Sequence, residues 1–362
     1  MSAASKSADA QDSRRYRAGD LVTYAQALFA AGGCDAGKAG TMAELLVEAD
    51  LMGHTTHGLH LVAPYLDELA NGAMKSKGEP EVVADKGAAV TWDGRRLPGV
   101  WLTAKAVDLA VERSGKYGIA SVAIRNSHHI ACLAVYLQRA TSKGLMVILA
   151  SSDPSDASIA PFGGLRAVFT PDPIAVGIPT ADGPILIDMS SSITTNGMTN
   201  RLRKEGRRFP GPWAMTADGL ASDDPDALFT DPPGTLLPAG GKDHGHKGYG
   251  LALTVEALTQ GLSGFGRAER PTGWGASLFV QVMDPDLYGG AAAFLNQTTF
   301  LAQACRSNPP APGVESVRLP GDAALARKAQ ALRAGLTLYP GIMDGLAAWS
   351  KTYAVKAPKP MP

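Results

Sequence analysis

The sequence predicts an α/β fold in which both chain ends build a helical layer beside a central domain of alternating strands and helices. Two patterns carry that prediction. The first and last stretches repeat apolar residues at helical spacing, while the middle alternates short β-branched apolar runs with amphipathic segments. Hydrophobic residues make up 45% of the 362 positions and charged residues 19%, enough to bury a sizeable core. Glycine and proline are both raised, at 41 and 25, and supply turns between short elements.

The opening residues, MSAASKSADAQDSRRYR, contain no apolar h-region and read as a flexible polar tail rather than a secretory signal. The run LVTYAQALFAAGG predicts a helix from Asp20 to Gly32, with Asp20 as its N-cap and glycine at its end. A second helix is expected over Ala43 to Gly53. A third is expected over Leu59 to Ala70, bent near Pro64. Val82 to Trp92 reads as a pair of short strands closed by a turn at Asp93-Gly94. An amphipathic helix over Leu102 to Tyr117 follows, then a strand over Gly118 to Ile124, a helix over Ala131 to Ser142 and a buried strand over Leu145 to Ser151. Further strands are expected at Ile174 to Ile178, Ile185 to Asp188 and Leu278 to Met283. Residues 222–245, rich in Pro, Asp and Gly, read as loop, and Tyr249 to Leu262 as a buried helix with few charges. Helices resume at Ala291 to Cys305 and Ala323 to Leu336, and the last residues, KAPKPMP, should fray. Residues 1–78 with 300–362 are thus expected to form one discontinuous helical domain, and residues 79–299 a central α/β domain that binds the cofactor.

Composition excludes several partners. Lys plus Arg equals Asp plus Glu at 34 each, so no surplus of positive charge points to nucleic acid or an anionic membrane. No apolar run approaches the ~20 residues that span a bilayer. Cys34, Cys132 and Cys305 form no C-x-x-C and are odd in number, which fits thiols in a reducing, cytoplasmic compartment.

The seven histidines fall into three clusters: His54, His57 and His60; His128 and His129; His244 and His246. A single histidine is usually a surface or satisfied core residue, but three clusters with no stray members point to a site. One chemistry is metal binding, since i, i+3 spacing puts neighbours on one helix face. Thr55-Thr56 and Gly58 are poor helix interior, however, and H-E-x-x-H is absent, so no metal is expected. The other chemistry is proton transfer, because imidazole with a pKa near ~6.5 accepts and returns a proton at neutral pH. Oxidising an alcohol needs such a group, and the accompanying hydride needs a cofactor. No G-x-G-x-x-G follows a strand; Gly261-x-x-Gly264-x-Gly266 has the wrong order. The run Gly241 to Gly248 resembles a P-loop only superficially, since its lysine is not followed by Ser or Thr. Its glycines still allow backbone N–H groups to approach a pyrophosphate where Gly248 opens a helix.

Ala49-Asp50-Leu51, Thr56-His57-Gly58 and Pro64-Tyr65 resemble the A-D-L…S-H-G…P-x-Y segment of the malate/L-lactate dehydrogenase family. That family also includes ureidoglycolate, sulfolactate and diketogulonate enzymes and Δ1-piperideine-2-carboxylate reductase, and is unrelated in fold to the Rossmann-type lactate and malate dehydrogenases. The resemblance runs on collinearly through Asp93-Gly94, Gly99, Arg125-Asn126-Ser127-His128, Pro161-Phe162-Gly163-Gly164 and Asp188-Met189-Ser190. It continues through Pro210, Trp213-Ala214, Asp224-Pro225, Gly245 to Leu251 and Pro320-Gly321-Asp322.

The resemblance implies a non-Rossmann, mixed-sheet nicotinamide-binding fold, a homodimer, and NAD or NADP as cofactor. It implies hydride transfer to or from a small 2-oxo or 2-hydroxy acid. His128 aligns with the general acid/base and His57 with a second active-site histidine. Ser152, Asp188, Met189, Ser190, His246, Lys247, Gly248, Pro320, Gly321 and Asp322 align with or lie in cofactor-contacting segments. Asp153 is expected to orient His128 or the substrate. The chain departs from the family in four places, one of them a few residues inserted between Asp153 and Pro161. Leu61 stands where an arginine four residues after the S-H-G histidine would hold a carboxylate. Ser127-His128-His129-Ile130 replaces N-H-F-G, and Thr170-Pro171-Asp172-Pro173 replaces G-T-N-P. Thr56, His60 and His129 are therefore the expected substrate-reading residues. The departures leave open a cyclic imino-acid reductase, or a divergent member with altered or lost redox activity.

Overall fold

A computed structural model describes residues 14–362, so the expected polar tail lies almost wholly outside the described residues. They divide into two compact units, residues 14–78 with 322–362 and residues 79–321.

The first segment of the helical unit holds β1 (Arg15–Tyr16), α1 (Ala18–Ala31), α2 (Ala36–Met52), a 3-10 turn at Leu59–Leu61 and α3 (Val62–Ala70). In α1 the buried Leu21, Tyr24, Ala25 and Leu28 fall at i, i+3, i+4 and i+7. Asp20 is not the cap. Arg17 holds that place without a side-chain bond, and Asp20 lies in the first turn, where its charge complements the helix N-terminus. The second helix begins at Ala36 rather than Ala43, because the Asp35 side chain accepts from Lys38 N at 3.1 Å and caps it. Gly37 and Gly40, weak helix formers, had hidden that first turn. Pro64 sits in the first turn of α3, where its missing N–H costs nothing.

The sheet unit carries β2 (Glu81–Asp85), β3 (Ala89–Asp93), α4 (Gly99–Tyr117), β4 (Ile119–Ser127), α5 (Ala134–Thr141), β5 (Met146–Ser152), β6 (Ile174–Ile178) and β7 (Ile185–Met189). After these come α6 (Asn196–Lys204), β8 (Ala214–Met215), β9 (Ala221–Ser222), β10 (Thr235–Leu236), α7 (Gly241–His244), α8 (His246–Glu256), β11 (Ala276–Met283) and α9 (Ala291–Arg306). Seven strands form one mixed sheet in the order β2-β3-β4-β11-β5-β6-β7. Only β3 and β4 run parallel, joined by the α4 crossover; every other neighbouring pair is antiparallel. This is the expected mixed-sheet, non-Rossmann arrangement. Residues 222–245 are not wholly loop: β10 pairs with β8 in a small three-stranded sheet, and α7 forms a single turn. The predicted buried helix is half-buried, with Leu253 and Leu262 exposed, and it changes at Ala257–Gly261 into a π-helical turn.

The returning segment of the helical unit contains α10 (Asp322–Ala334), β12 (Leu336–Thr337) and α11 (Ile342–Tyr353). β1 pairs antiparallel with β12. The chain end does not fray there: Met361 N donates to Arg15 O at 2.6 Å, adding a further backbone bond beside this pair.

Candidate active site

The sheet topology gathers chemistry at one end of the sheet unit. β4 and β5 both run antiparallel to the central β11, with Ser127 opposite Ala276 and Ser152 opposite Ser277. The residues just past β4 and β5 and just before β11 therefore meet. They are His128, Asp153 and Trp274. By the same register, β7 ends and β6 begins at this edge, since Met189 pairs with Ile174. Asp188, Met189 and Ser190 thus lie at the same end of the sheet as residues 170–173, which lead into β6.

His128 is fully buried. Its ring meets the edge of Trp274 with centroids 5.3 Å apart and planes at 70°. His129 stacks on the same indole at 4.4 Å and 26°. Gly99, at the start of α4, explains how the His128 backbone is seated. A Cβ there would fall 2.0 Å from His128 O, so only glycine allows this approach. Three groups fix the Trp274 segment. Arg96 Nη2 donates to Trp274 O at 2.8 Å, Ser155 Oγ donates to Gly273 O at 2.8 Å, and Gly275 N donates to Asp153 Oδ2 at 3.4 Å. A Cβ on Gly275 would lie 2.7 Å from the Arg96 guanidinium, so the glycines flanking Trp274 make room for the arginine. A shallow pocket beside this frame is lined by Arg96, Asn126, Asp153, Ser155, Phe265 and Pro271, among others.

Burial pushes the Asp153 carboxyl above its ordinary value, opposed by hydrogen bonds from Ser155 and Gly275. Ser152 points the other way. Its hydroxyl accepts from Gln260 Nε2 at 2.9 Å and bonds Thr259 Oγ1 at 2.9 Å, both on the π-helical turn. Turns of this kind recur at functional sites, where the extra residue re-aims side chains.

The expected cofactor segments are laced together. Ala239 N donates to Ser191 O at 2.8 Å and Gly248 N donates to Ala239 O at 3.1 Å. A Cβ on Gly248 would meet Ser191 O at 2.4 Å. His246 and Lys247 are exposed beside this junction, as are Lys242 and His244. Asp188 Oδ2 accepts from Ala134 N at 2.9 Å and from Cys132 Sγ at 3.4 Å, which ties it to the start of α5. Met189 is exposed, and Ser190 Oγ donates to Ser192 O at 2.8 Å. Pro320 and Gly321 pack on β7, where Leu186 N donates to Pro320 O at 3.0 Å.

In the helical unit, Thr56 Oγ1 shares a 2.8 Å hydrogen bond with His57 Nδ1. Residues 54–58 form a turn, and His60 is exposed on the 3-10 turn that follows. Asp50 organises this motif. It is buried and accepts from Leu59 N at 2.7 Å, while Gly58 lies so close that a Cβ would fall 2.4 Å from the carboxylate. Leu61 is buried and supplies no charge. Asp322 opens α10.

The malate/L-lactate dehydrogenase family profile matches residues 16–347. The chain belongs to that family. Its relatives include an L-lactate dehydrogenase of Cupriavidus necator, 30% identical over 92% of this chain and 96% of that protein. Another is a Δ1-pyrroline-2-carboxylate/Δ1-piperideine-2-carboxylate reductase of Pseudomonas syringae, 31% identical over 88% and 91%. The crystal structure of a malate dehydrogenase from Entamoeba histolytica shares the fold, with TM-score 0.89 and 22% identity over 95% of this chain and 99% of that one. Family membership makes this chain an oxidoreductase.

Sequence reasoning missed Trp274, Arg96 and the Thr259–Gln260 turn. An aromatic residue between two glycines, Gly273-Trp274-Gly275, was the available signal for the first.

Proposed function

We propose that this oxidoreductase transfers hydride between NAD or NADP and a small 2-oxo or 2-hydroxy acid, with His128 as general acid/base. Family membership supports the reaction class. The observation that carries the assignment of the proton is a buried His128 at the sheet end, edge-on to Trp274 and within the same frame as Asp153. A bound nicotinamide supplies or accepts the hydride. The chain's own part is the proton: His128 gives it to the substrate oxygen in reduction and takes it back in oxidation. Trp274 covers the imidazole and excludes water, and Asp153 sets the segment that carries Trp274.

The residues proposed to hold the dinucleotide suit its chemistry. Lys247 and His246 bring exposed nitrogen donors to a glycine-rich junction beside Ser190, which fits anionic phosphates. Asp188, Met189, Gly248 and the Pro320–Asp322 segment belong to the same reading, as do Ser152 behind them, the homodimer and the cytoplasmic setting. His57 is proposed as a second catalytic histidine, and Thr56, His60 and His129 are proposed to read the substrate. Reduction of a cyclic imino acid is the second reading. It is favoured by the uncharged Leu61 and by the reductase relative, and His128 would then protonate nitrogen.

The test is absorbance at 340 nm with NADH and NADPH against a panel of 2-oxo acids and cyclic imino acids, alongside dinucleotide binding. Turnover with one class is expected and names the substrate type. Binding without turnover on any panel member would overturn the reaction, and no binding of either dinucleotide would overturn the cofactor.

A further inference from the structure

Between Pro171 and Pro173, Asp172 is fully buried and its backbone holds φ 41°, a region that L-residues seldom enter. Its Oδ1 accepts from Thr170 Oγ1 at 2.6 Å, and that same hydroxyl oxygen accepts from Asp153 N at 3.3 Å. Among the described residues no donor reaches Oδ2. The group beside Asp172 is instead another carboxyl, that of Glu256 at the end of α8, at hydrogen-bonding reach. One cation serves both acids. Arg267 Nε and Nη2 donate to Glu256 Oε1 at 3.0 and 2.8 Å, and Nη1 bonds Asp156 O. Gln260 on the neighbouring turn is spent on Arg267 N and Ser152 Oγ.

We propose that Asp172 and Glu256 share one proton, and that this proton makes Asp172 a positioning residue which holds Thr170, and through it the backbone of Asp153, at the candidate active site. Two acceptor-only carboxylates cannot face each other in a buried site with a single arginine; a shared proton turns the repulsion into a hydrogen bond. Burial and the Glu256 charge push Asp172 up to about 8, against smaller opposing effects from Thr170 and Arg267. The charged group acting on the pair is Arg267; the acids on the loop after β5 reach it only through the backbone, Asp156 by its carbonyl on Arg267 and Asp153 by its N–H on Thr170. None of them is a second cation. Ionising Asp172 removes the bond to Glu256 and sets two carboxylates against each other; although the Thr170 hydroxyl favours the ionised form, the repulsion displaces the Asp172 carboxylate, and Thr170 and the Asp153 backbone with it.

The role in catalysis rests on the proposed function; the shared proton does not, so stability is measured first. The folded protein keeps a proton that the unfolded chain has lost, so stability falls as pH rises from the ordinary Asp value of 3.8 to about 8. Unfolding of the full chain is followed from about pH 5 to about pH 8 for wild type and Asp172→Asn, whose amide donates without titrating. Relative to the variant, the wild-type folding constant should fall about tenfold per pH unit across that window. Glu256→Gln removes the neighbouring charge and should move the upper end of the fall to lower pH. Parallel curves for wild type and Asp172→Asn, or an Asp172→Asn chain that does not fold, would overturn the shared proton. With turnover established, kcat is followed for oxidation, where His128 acts unprotonated and does not itself cause a fall at high pH; that of the wild type should drop above about pH 8 and that of Asp172→Asn should not. A drop in both overturns the positioning role and leaves the stability result standing.

Discussion

The end of the central sheet and the glycine-rich turn leading into α8 lie in the same unit and are built in opposite ways. At the sheet end the chemistry is enclosed. His128 is buried under Trp274, Asp153 is raised by burial, and three hydrogen bonds fix the covering segment. At the turn, Lys242, His244, His246 and Lys247 are exposed among glycines. Enclosure fixes direction and changes proton affinity, which suits a group that must hand over one proton along one path. Exposure keeps cations hydrated and mobile, which suits capture of a charged ligand many atoms long. Removing a group from the first region should therefore damage rate, and removing one from the second should damage affinity.

The largest effect belongs to His128→Ala. Turnover should fall by roughly 10²- to 10⁴-fold, the ordinary worth of general acid/base catalysis, with dinucleotide affinity near wild type. Steady-state kinetics and dinucleotide titration read the two separately, and a variant with normal turnover removes His128 from the mechanism. Trp274→Ala should come next. Uncovering and unstacking His128 and His129 should cost roughly tenfold to a hundredfold in kcat/KM, and Trp274→Phe should recover most of it. Equal activity in all three proteins would mean that the indole is only packing. Lys247→Ala should have the smallest effect, about fivefold in dinucleotide dissociation constant, as expected for one exposed charge. That difference should shrink as salt is added, and a kcat loss larger than the affinity loss would erase the contrast between the two regions.

Sequence periodicity located the strands of the central sheet because their buried faces are rich in β-branched residues, as in β4 and β5. It could not give their order, since β11 pairs with β4 and β5 far earlier in the chain. Element ends were lost where polar residues finish a strand, as in Arg125-Asn126-Ser127, or where glycines begin a helix, as in α2. The histidine clusters pointed to His128, but its environment was not legible. Trp274, Arg96 and Gly99 reach it only through tertiary contacts. Asp172 stood out as a departure from the family's pattern. Its pairing with Glu256 depends on α8 lying across the sheet, which no local pattern encodes.

The position of β11 has a consequence for how the molecule is made. This strand is the last of the seven to leave the ribosome, yet it fills the middle of the sheet. Until residues 276–283 emerge, β4 and β5 each present an open edge, and such pairings between distant segments are slow to form. Trp274 and Gly275 immediately precede that strand. The pairing that fills the middle of the sheet is therefore also the one that brings the indole over His128.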